Sequence, residues 1–365
     1  MIIDKKMQNW YFVEDKVIFR NYLLNLTNKD FERVTLHDRH FIRISGVNLI
    51  LKGCYQEIKR NIPNEDIVKF LKSKLNNPNP TIWCWLSGIN AIPIFKFYDI
   101  LKIWKEVCNK SQEEFNNKWD NIFSNVKYYS VCGSKTKAKL PREFTEDLAY
   151  VMGFILADGY VKNDDRLLGR KKYTEHSISM YDESELFLKY LQQLFFNLFE
   201  VKCNLHNAQD KKGSWYVLRC TSKPVHRFFC DVLGFTRGSK TGNIDVPSII
   251  ANAPQNFQKA FIAGFFDGDG GVGITRKNPW LELGQVSIND YPIPIIVWIK
   301  DKLKYFGIDM ALSKATNKDF WRLRTGSKTE ILKFYDIISS RYPLKIEKYN
   351  QVRDFSYERS NRYWS

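Results

Sequence analysis

The sequence predicts an α+β protein: an αββαββα unit used twice about a pseudo-twofold axis, behind a mainly helical N-terminal domain. Three observations carry this expectation. Two apolar helical segments each end in Asp-Gly. Each is followed by the same succession of strand-like and helix-like patterns, and the late parts of the two successions match position by position.

Residues 1–140 mix polar and aromatic residues without a repeat and read as an accessory domain. Within it Asn64–Leu75, Asn79–Gly88 and the segment IPIFKFYDILKIWKEV have helical periodicity. Their order resembles a DNA-binding helix-turn-helix module, with Pro80–Leu86 as the recognition helix. The stretch GSKTKAKLPRE (Gly133–Glu143) is polar, lacks an apolar period and reads as a linker.

The first repeat, residues 145–250, opens with LAYVMGFILADGY (Leu148–Tyr160). Strands are expected at Gly159–Lys162 and Glu175–Met180, a helix at Glu183–Phe199, strands at Val201–His206 and Trp215–Cys220, and a helix at Lys223–Leu233. The second repeat with its C-terminal tail, residues 251–365, opens with KAFIAGFFDGDGG (Lys259–Gly271). There the same order falls at Gly271–Arg276, Leu281–Ile288, Pro292–Phe306, Asp309–Ser313, Phe320–Arg324 and Lys328–Ile338. The late segment Tyr216–Phe229 lines up with Trp321–Phe334, pairing Arg219 with Arg324 and Lys223 with Lys328.

Composition narrows the function classes. Hydrophobic residues make up 44% of the 365, enough for a sizeable core. Lys and Arg outnumber Asp and Glu by 56 to 40, a net charge of +16, which favours a polyanionic partner such as nucleic acid. Seven scattered cysteines with no Cys-x-x-Cys pair fit neither a zinc cluster nor a disulfide framework. Reduced thiols, an intracellular setting and no membrane partner are therefore expected. The apolar stretch Ile293–Ile299 is far too short to span a bilayer.

Small residues recur four apart in both opening helices, at Gly153 and Ala157 and again at Gly264 and Gly268. That spacing places them on one face, where two helices can approach closely. If the faces pair, Asp158 and Asp269 meet, 111 positions apart in sequence (269 − 158 = 111). Each carboxylate then sits at the negative end of a helix dipole and beside a like charge. A hard divalent cation removes both penalties, taking carboxylate and carbonyl oxygens as ligands.

The segments GFILADG (Gly153–Gly159) and GFFDGDG (Gly264–Gly270) resemble the two signature motifs of single-chain LAGLIDADG homing endonucleases, and the similarity runs from about Thr145 to Trp364. The resemblance implies that Asp158 and Asp269 bind Mg²⁺ or Mn²⁺, assisted by the carbonyls of Ala157 and Gly268. Leu156 replaces the earlier Asp of the signature in the first motif, whereas Asp267 keeps it in the second. It further implies a basic catalytic residue downstream of the last strand and helix of each repeat, falling on Lys240 and Lys348. Met180 and Ile288 fall where relatives carry a polar residue late in the second strand, with Gln285 nearby.

Two four-stranded sheets would form a basic saddle on duplex DNA, with Lys171, Lys172, Arg219, Arg276, Lys277, Arg322 and Arg324 as contacts. The implied function is a monomeric, site-specific double-strand endonuclease of a homing intron, in an archaeal cytoplasm or organelle matrix. It would hydrolyse one phosphodiester on each strand of a long, asymmetric target. The reading from another class is an intron RNA maturase or a non-cleaving nucleic-acid-binding protein; retention of both aspartates favours cleavage.

Overall fold

The computed structural model describes residues 10–13, 16–27, 41–75, 79–131, 136–162, 166–168, 171–173, 176–210, 213–240, 242, 244–275, 278–287, 290–315 and 319–356. Arg276, Lys277 and Ile288 lie outside these residues. Among the described residues no helix is long and apolar enough to cross a membrane.

The N-terminal part is mainly helical and holds two small sheets. Strands β1 (Trp10–Val13) and β2 (Lys16–Phe19) form a hairpin. Then come β3 (Ile42–Ser45), α1 (Asn48–Asn61), α2 (Ile67–Leu75), α3 (Asn79–Ser87), β4 (Ile92–Pro93), α4 (Ile94–Val107), α5 (Gln112–Asn125) and β5 (Tyr128–Val131). Helix α4 buries Ile94, Phe97, Ile100, Leu101 and Trp104, the three-and-four spacing of an amphipathic stripe. Helix α5 starts at a capping box, Ser111 accepting from the Glu114 backbone N–H and Glu114 accepting from that of Ser111.

The expected linker is not a free tether. Ala138 and Leu140 are buried, Ala138 exchanges backbone hydrogen bonds with Tyr129, and β6 (Glu143–Phe144) pairs with β2. Phe19 of the N-terminal hairpin meets Phe228 of the first repeat edge-on at 5.3 Å. The apolar residues of this short polar stretch therefore tie the N-terminal part to the repeats.

The repeats have the predicted αββαββα order. The first contains α6 (Glu146–Asp158), β7 (Gly159–Val161), a hairpin of β8 (Arg166–Leu168) and β9 (Lys171–Tyr173), β10 (Ser177–Asp182), α7 (Glu185–Phe199), β11 (Asn204–Asp210), β12 (Gly213–Thr221) and α8 (Lys223–Arg227). Helix α8 continues as a wider π-type turn over Phe228–Val232. A short helix α9 (Ser248–Ala251) precedes the second repeat: α10 (Gln255–Asp269), β13 (Gly270–Thr275), β14 (Asn278–Val286), α11 (Pro294–Tyr305), β15 (Ala311–Lys314), β16 (Phe320–Thr325), α12 (Lys328–Ile338) and α13 (Pro343–Asp354).

The two sheets are antiparallel with equivalent strand orders, β7-β10-β12-β11 and β13-β14-β16-β15. Their registers fix the equivalence: Gly159 faces Met180, and Gly270 faces Leu283. Helices α6 and α10 pack on each other at the centre, and every residue from Leu148 to Ala157 is buried. Such all-round burial explains why Leu148–Ala157 of α6 is apolar on every face, unlike α4.

Candidate active site

Helices α6 and α10 cross with twofold reciprocity. A Cβ on Gly153 would overlap the Phe261 carbonyl oxygen, and a Cβ on Gly264 would overlap that of Tyr150. Both pairs repeat at the offset that separates the aspartates (261 − 150 = 111 and 264 − 153 = 111). Toward the C-terminal ends a Cβ on Gly268 would collide with the Ala157 Cβ and lie 3.2 Å from the Asp158 nitrogen. One member of that pair must be glycine, and the two chain ends are thereby held together.

Asp158 and Asp269 are brought together at this junction, each half-buried as the last residue of its helix. Burial pushes the Asp158 carboxyl up to about 7, with the negative charge of Asp269 adding to the rise and Lys240 opposing it. Burial likewise raises Asp269 to about 6, against the pull of Lys240 and Lys345.

A lysine closes each helix end. The Lys240 ammonium donates to the carbonyls of Ile155 (3.1 Å), Leu156 (2.7 Å) and Ala157. The Lys345 ammonium donates to the carbonyls of Phe266 and Asp267, both at 2.7 Å. Ile155 and Phe266 are equivalent positions, as are Leu156 and Asp267, so Lys345 is the counterpart of Lys240. Burial lowers both lysines to about 8, while the neighbouring carboxylates oppose the fall.

Lys345 thus takes the place expected for Lys348, which is exposed. The physical reason is Pro343, which opens α13. Lys345 falls in the first turn, against the end of α10, and Lys348 lies about 4.5 Å further along the helix axis. The Ala157 carbonyl, expected beside a metal, accepts from Lys240.

Register also places two polar residues beside the carboxylates. Counting two positions on from Met180 and Leu283 reaches Asp182 and Gln285. Gln285 donates its side-chain N–H to Asp269. Asp182 accepts from the Tyr342 hydroxyl and from the Ser184 backbone N–H, both at 2.6 Å, and burial raises its carboxyl. Sequence reasoning passed over Asp182 and Lys345. Strict pair-counting from each Asp-Gly would have reached the first, and the helix-opening role of Pro343 the second.

The sheet faces away from the helices carry the arginines Arg219, Arg322 and Arg324. Leu281, Leu283 and Leu323 point into the core, so Glu282, Arg322 and Arg324 share the opposite face. Glu282 sits between the two arginines, 3.2 Å from Arg322 and 3.8 Å from Arg324. Arg219 occupies the equivalent face of β12, opposite Ser179 and Asn204. Lys171 and Lys172 lie in the β8–β9 hairpin, paired with Leu168 and Leu167. In the N-terminal part, the expected recognition helix α3 buries Trp85 (2% exposed), presents Trp83 (55% exposed) and carries no Lys or Arg.

A family profile described as LAGLIDADG-like domain matches residues 145–232 and 256–339. A curated relative, glutamine–fructose-6-phosphate aminotransferase [isomerizing] of Methanocaldococcus jannaschii, is 24% identical over 197 residues, 54% of this chain. The chain spans only 16% of that protein's length. Among solved structures, mesophilic variants of the homing endonuclease I-DmoI are 18% identical with a TM-score of 0.39, covering 54% of this chain and 97% of theirs. The homing endonuclease I-WcaI bound to its DNA recognition sequence is 15% identical with a TM-score of 0.41, covering 56% and 85%. The N-terminal LAGLIDADG domain of DUF199/WhiA is 16% identical with a TM-score of 0.36, covering 55% and 85%.

Proposed function

We propose that this chain, a LAGLIDADG family member with two motif-bearing repeats, is a homing-type, site-specific endonuclease that hydrolyses one phosphodiester on each strand of duplex DNA. The observation that carries the reading is the meeting of Asp158 and Asp269 at the ends of two reciprocally crossed helices. Two buried carboxylates that raise each other's affinity for a cation fit a hard divalent ion such as Mg²⁺ or Mn²⁺. Asp158 and Asp269 would hold it, with the Ala157 and Gly268 carbonyls at hand. When bound, the ion supplies Lewis acidity toward a phosphate oxygen and acidifies a water.

The chain's own residues account for the remaining roles. Water is the nucleophile: its oxygen bonds to phosphorus and its proton leaves to a base or solvent, while one P–O ester bond breaks and the departing sugar oxygen takes up a proton from solvent. Gln285 beside Asp269 and Asp182 on the other side are placed to orient that water. Lys240 and Lys345 offset negative charge growing on the two scissile phosphates. Arg219, Arg322 and Arg324, with Lys171 and Lys172, supply phosphate and base contacts on the sheet faces. Their unequal placement in the two repeats suits a long, asymmetric target read by one copy of the chain. The N-terminal part, residues 1–140, extends this contact.

The test is in vitro selection of cut sites from a randomised duplex library with Mg²⁺. Discrete double-strand cuts are expected, and Asp158→Asn and Asp269→Asn each abolish them while gel-shift binding to the selected duplex persists. Tight binding to intron RNA with no duplex cut would replace this reading with a maturase. Loss of duplex binding in step with loss of cutting would count against the metal assignment.

A further inference from the structure

Leu156 and Asp267 occupy the same place in the two repeats, yet one is a core aliphatic residue and the other a buried acid. Asp267 is 0% exposed and its carboxylate accepts three hydrogen bonds. Ser340 donates its hydroxyl to Oδ1 at 2.5 Å, while the Tyr150 hydroxyl and the Arg341 backbone N–H donate to Oδ2 at 2.7 and 2.8 Å. Tyr150 belongs to the first repeat and the other two donors to the segment between α12 and α13. Three donors on one carboxylate are what such burial requires, because a buried acid without them is costly.

The same segment grips the first repeat twice more. The Arg341 guanidinium donates to Asp147 at 2.6 Å and to the Tyr190 hydroxyl at 3.3 Å, and it lies 4.5 Å above the Tyr150 ring. The Tyr342 ring stacks on Phe187 at 4.2 Å while its hydroxyl donates to Asp182. Helix α13 begins at the next residue, and its first turn delivers Lys345 to the end of α10. The first repeat holds its own lysine differently. Arg237 pairs with Asp231 at 2.5 Å, Asp231 also pairs with Arg227, and the Gly238 N–H donates to the Val161 carbonyl at 2.8 Å. All of those partners lie within the first repeat.

Lys345 lies 5.3 Å from the Tyr342 ring whose hydroxyl holds Asp182, so this lysine and this acid share one half of the site. We infer that Ser340–Tyr342 is a latch from the second repeat onto the first, with Arg341 and Tyr342 as positioning residues that set Lys345 and Asp182 for cleavage of one strand only. Neither residue is placed to touch the scissile phosphate. Each acts through a neighbour: Arg341 through the start of α13, and Tyr342 through the Asp182 carboxylate. Lys240, anchored inside its own repeat, is independent of the latch. The kinetic consequence presupposes the nuclease activity proposed above; the structural consequence does not.

The test uses the full chain with Arg341→Met and Tyr342→Phe, the second keeping the ring on Phe187 and removing only the hydroxyl. On a duplex labelled separately on each strand, both variants should slow the strand served by Lys345 by about tenfold or more, the scale of a small misplacement of catalytic groups. The other strand should stay within about twofold, nicked duplex should accumulate, and KM should be unchanged. Hydrogen exchange of Arg341→Met should quicken at residues 343–346 and not at 234–240. Equal slowing of both strands, no slowing, or unchanged exchange at 343–346 would overturn the latch. If the wild-type chain cuts no duplex, the nuclease reading falls and the exchange result alone decides the latch.

Discussion

Gly264→Ala sets two effects of opposite sign against each other. In an isolated helix the change favours the helix by about 1 kcal/mol, because alanine loses less backbone entropy than glycine. Here the new methyl would overlap the Tyr150 carbonyl oxygen and lie 2.8 Å from its carbon and 3.0 Å from the Phe154 nitrogen. Those are backbone atoms of a buried helix, which no rotamer change can move aside. Helices α6 and α10 must part by about 1 Å or shift along each other, and overpacking of this kind costs about 1–3 kcal/mol, occasionally more. The clash outweighs the propensity gain, so Gly264→Ala and its mate Gly153→Ala should each lose about 2 kcal/mol in urea unfolding. Parting the helices also parts Asp158 from Asp269. Cleavage at a temperature where the variant remains folded should therefore fall by about two orders of magnitude. A Gly264→Ala protein as stable as the wild type, or more stable, would refute the close crossing and the account of the carboxylate pair with it.

Lys345→Met should lower the cleavage rate on the order of a hundredfold without loss of thermal stability, while Lys348→Met leaves it unchanged; the reverse result would restore the position expected from the sequence. The metal-free protein should lose stability as pH rises from about 4 to about 7. Asp158 and Asp269, raised from 3.8 to about 7 and about 6, bind protons more tightly folded than unfolded across that window. Mg²⁺ should accordingly raise the melting temperature more at about pH 8 than at about pH 5, and an equal rise at both would exclude the pair as its ligands. Arg324→Ala should weaken duplex binding and make the dependence of affinity on salt shallower by about one ion if it meets a phosphate. If it reads a base instead, the slope holds and discrimination at one position falls by about 1–3 kcal/mol.

The architecture of the repeats was legible because duplication supplies an internal control. One Asp-Gly is an ordinary turn, but two at matching helix ends, each followed by the same alternation, reveal the element order and point to a candidate site. The N-terminal part offers no second copy. Among the described residues it has five α-helices, of which three are legible in the sequence; α1 is not, although Leu51, Cys54 and Ile58 recur at three and four. The polar stretch before the repeats reads as a linker because its buried residues, Ala138 and Leu140, are too few to show a period. Within the site the aspartates depend on helix periodicity, which sequence displays. Asp182 and Lys345 depend on loop lengths between strands and on where a helix begins, which sequence displays poorly.

The residues missed are also those that make the two halves unequal. At one half-site an amide, Gln285, lies against Asp269; at the other an acid, Asp182, faces Asp158 and is held by a tyrosine from the opposite repeat. A twofold dimer cannot hold such a difference, because any residue favourable at one half is imposed on the other. A duplicated chain can. Asp267 in place of an aliphatic residue is tolerable only because Ser340, Arg341 and Tyr150 supply its donors, and the first repeat, with Leu156 there, needs none of them. The first motif alone departs from the signature here, and the difference is one of packing: the retained Asp267 needs donors from Ser340 and Arg341, whereas Leu156 needs none. It decides which repeat carries its own lysine loop and which borrows a neighbour's side chains to hold it.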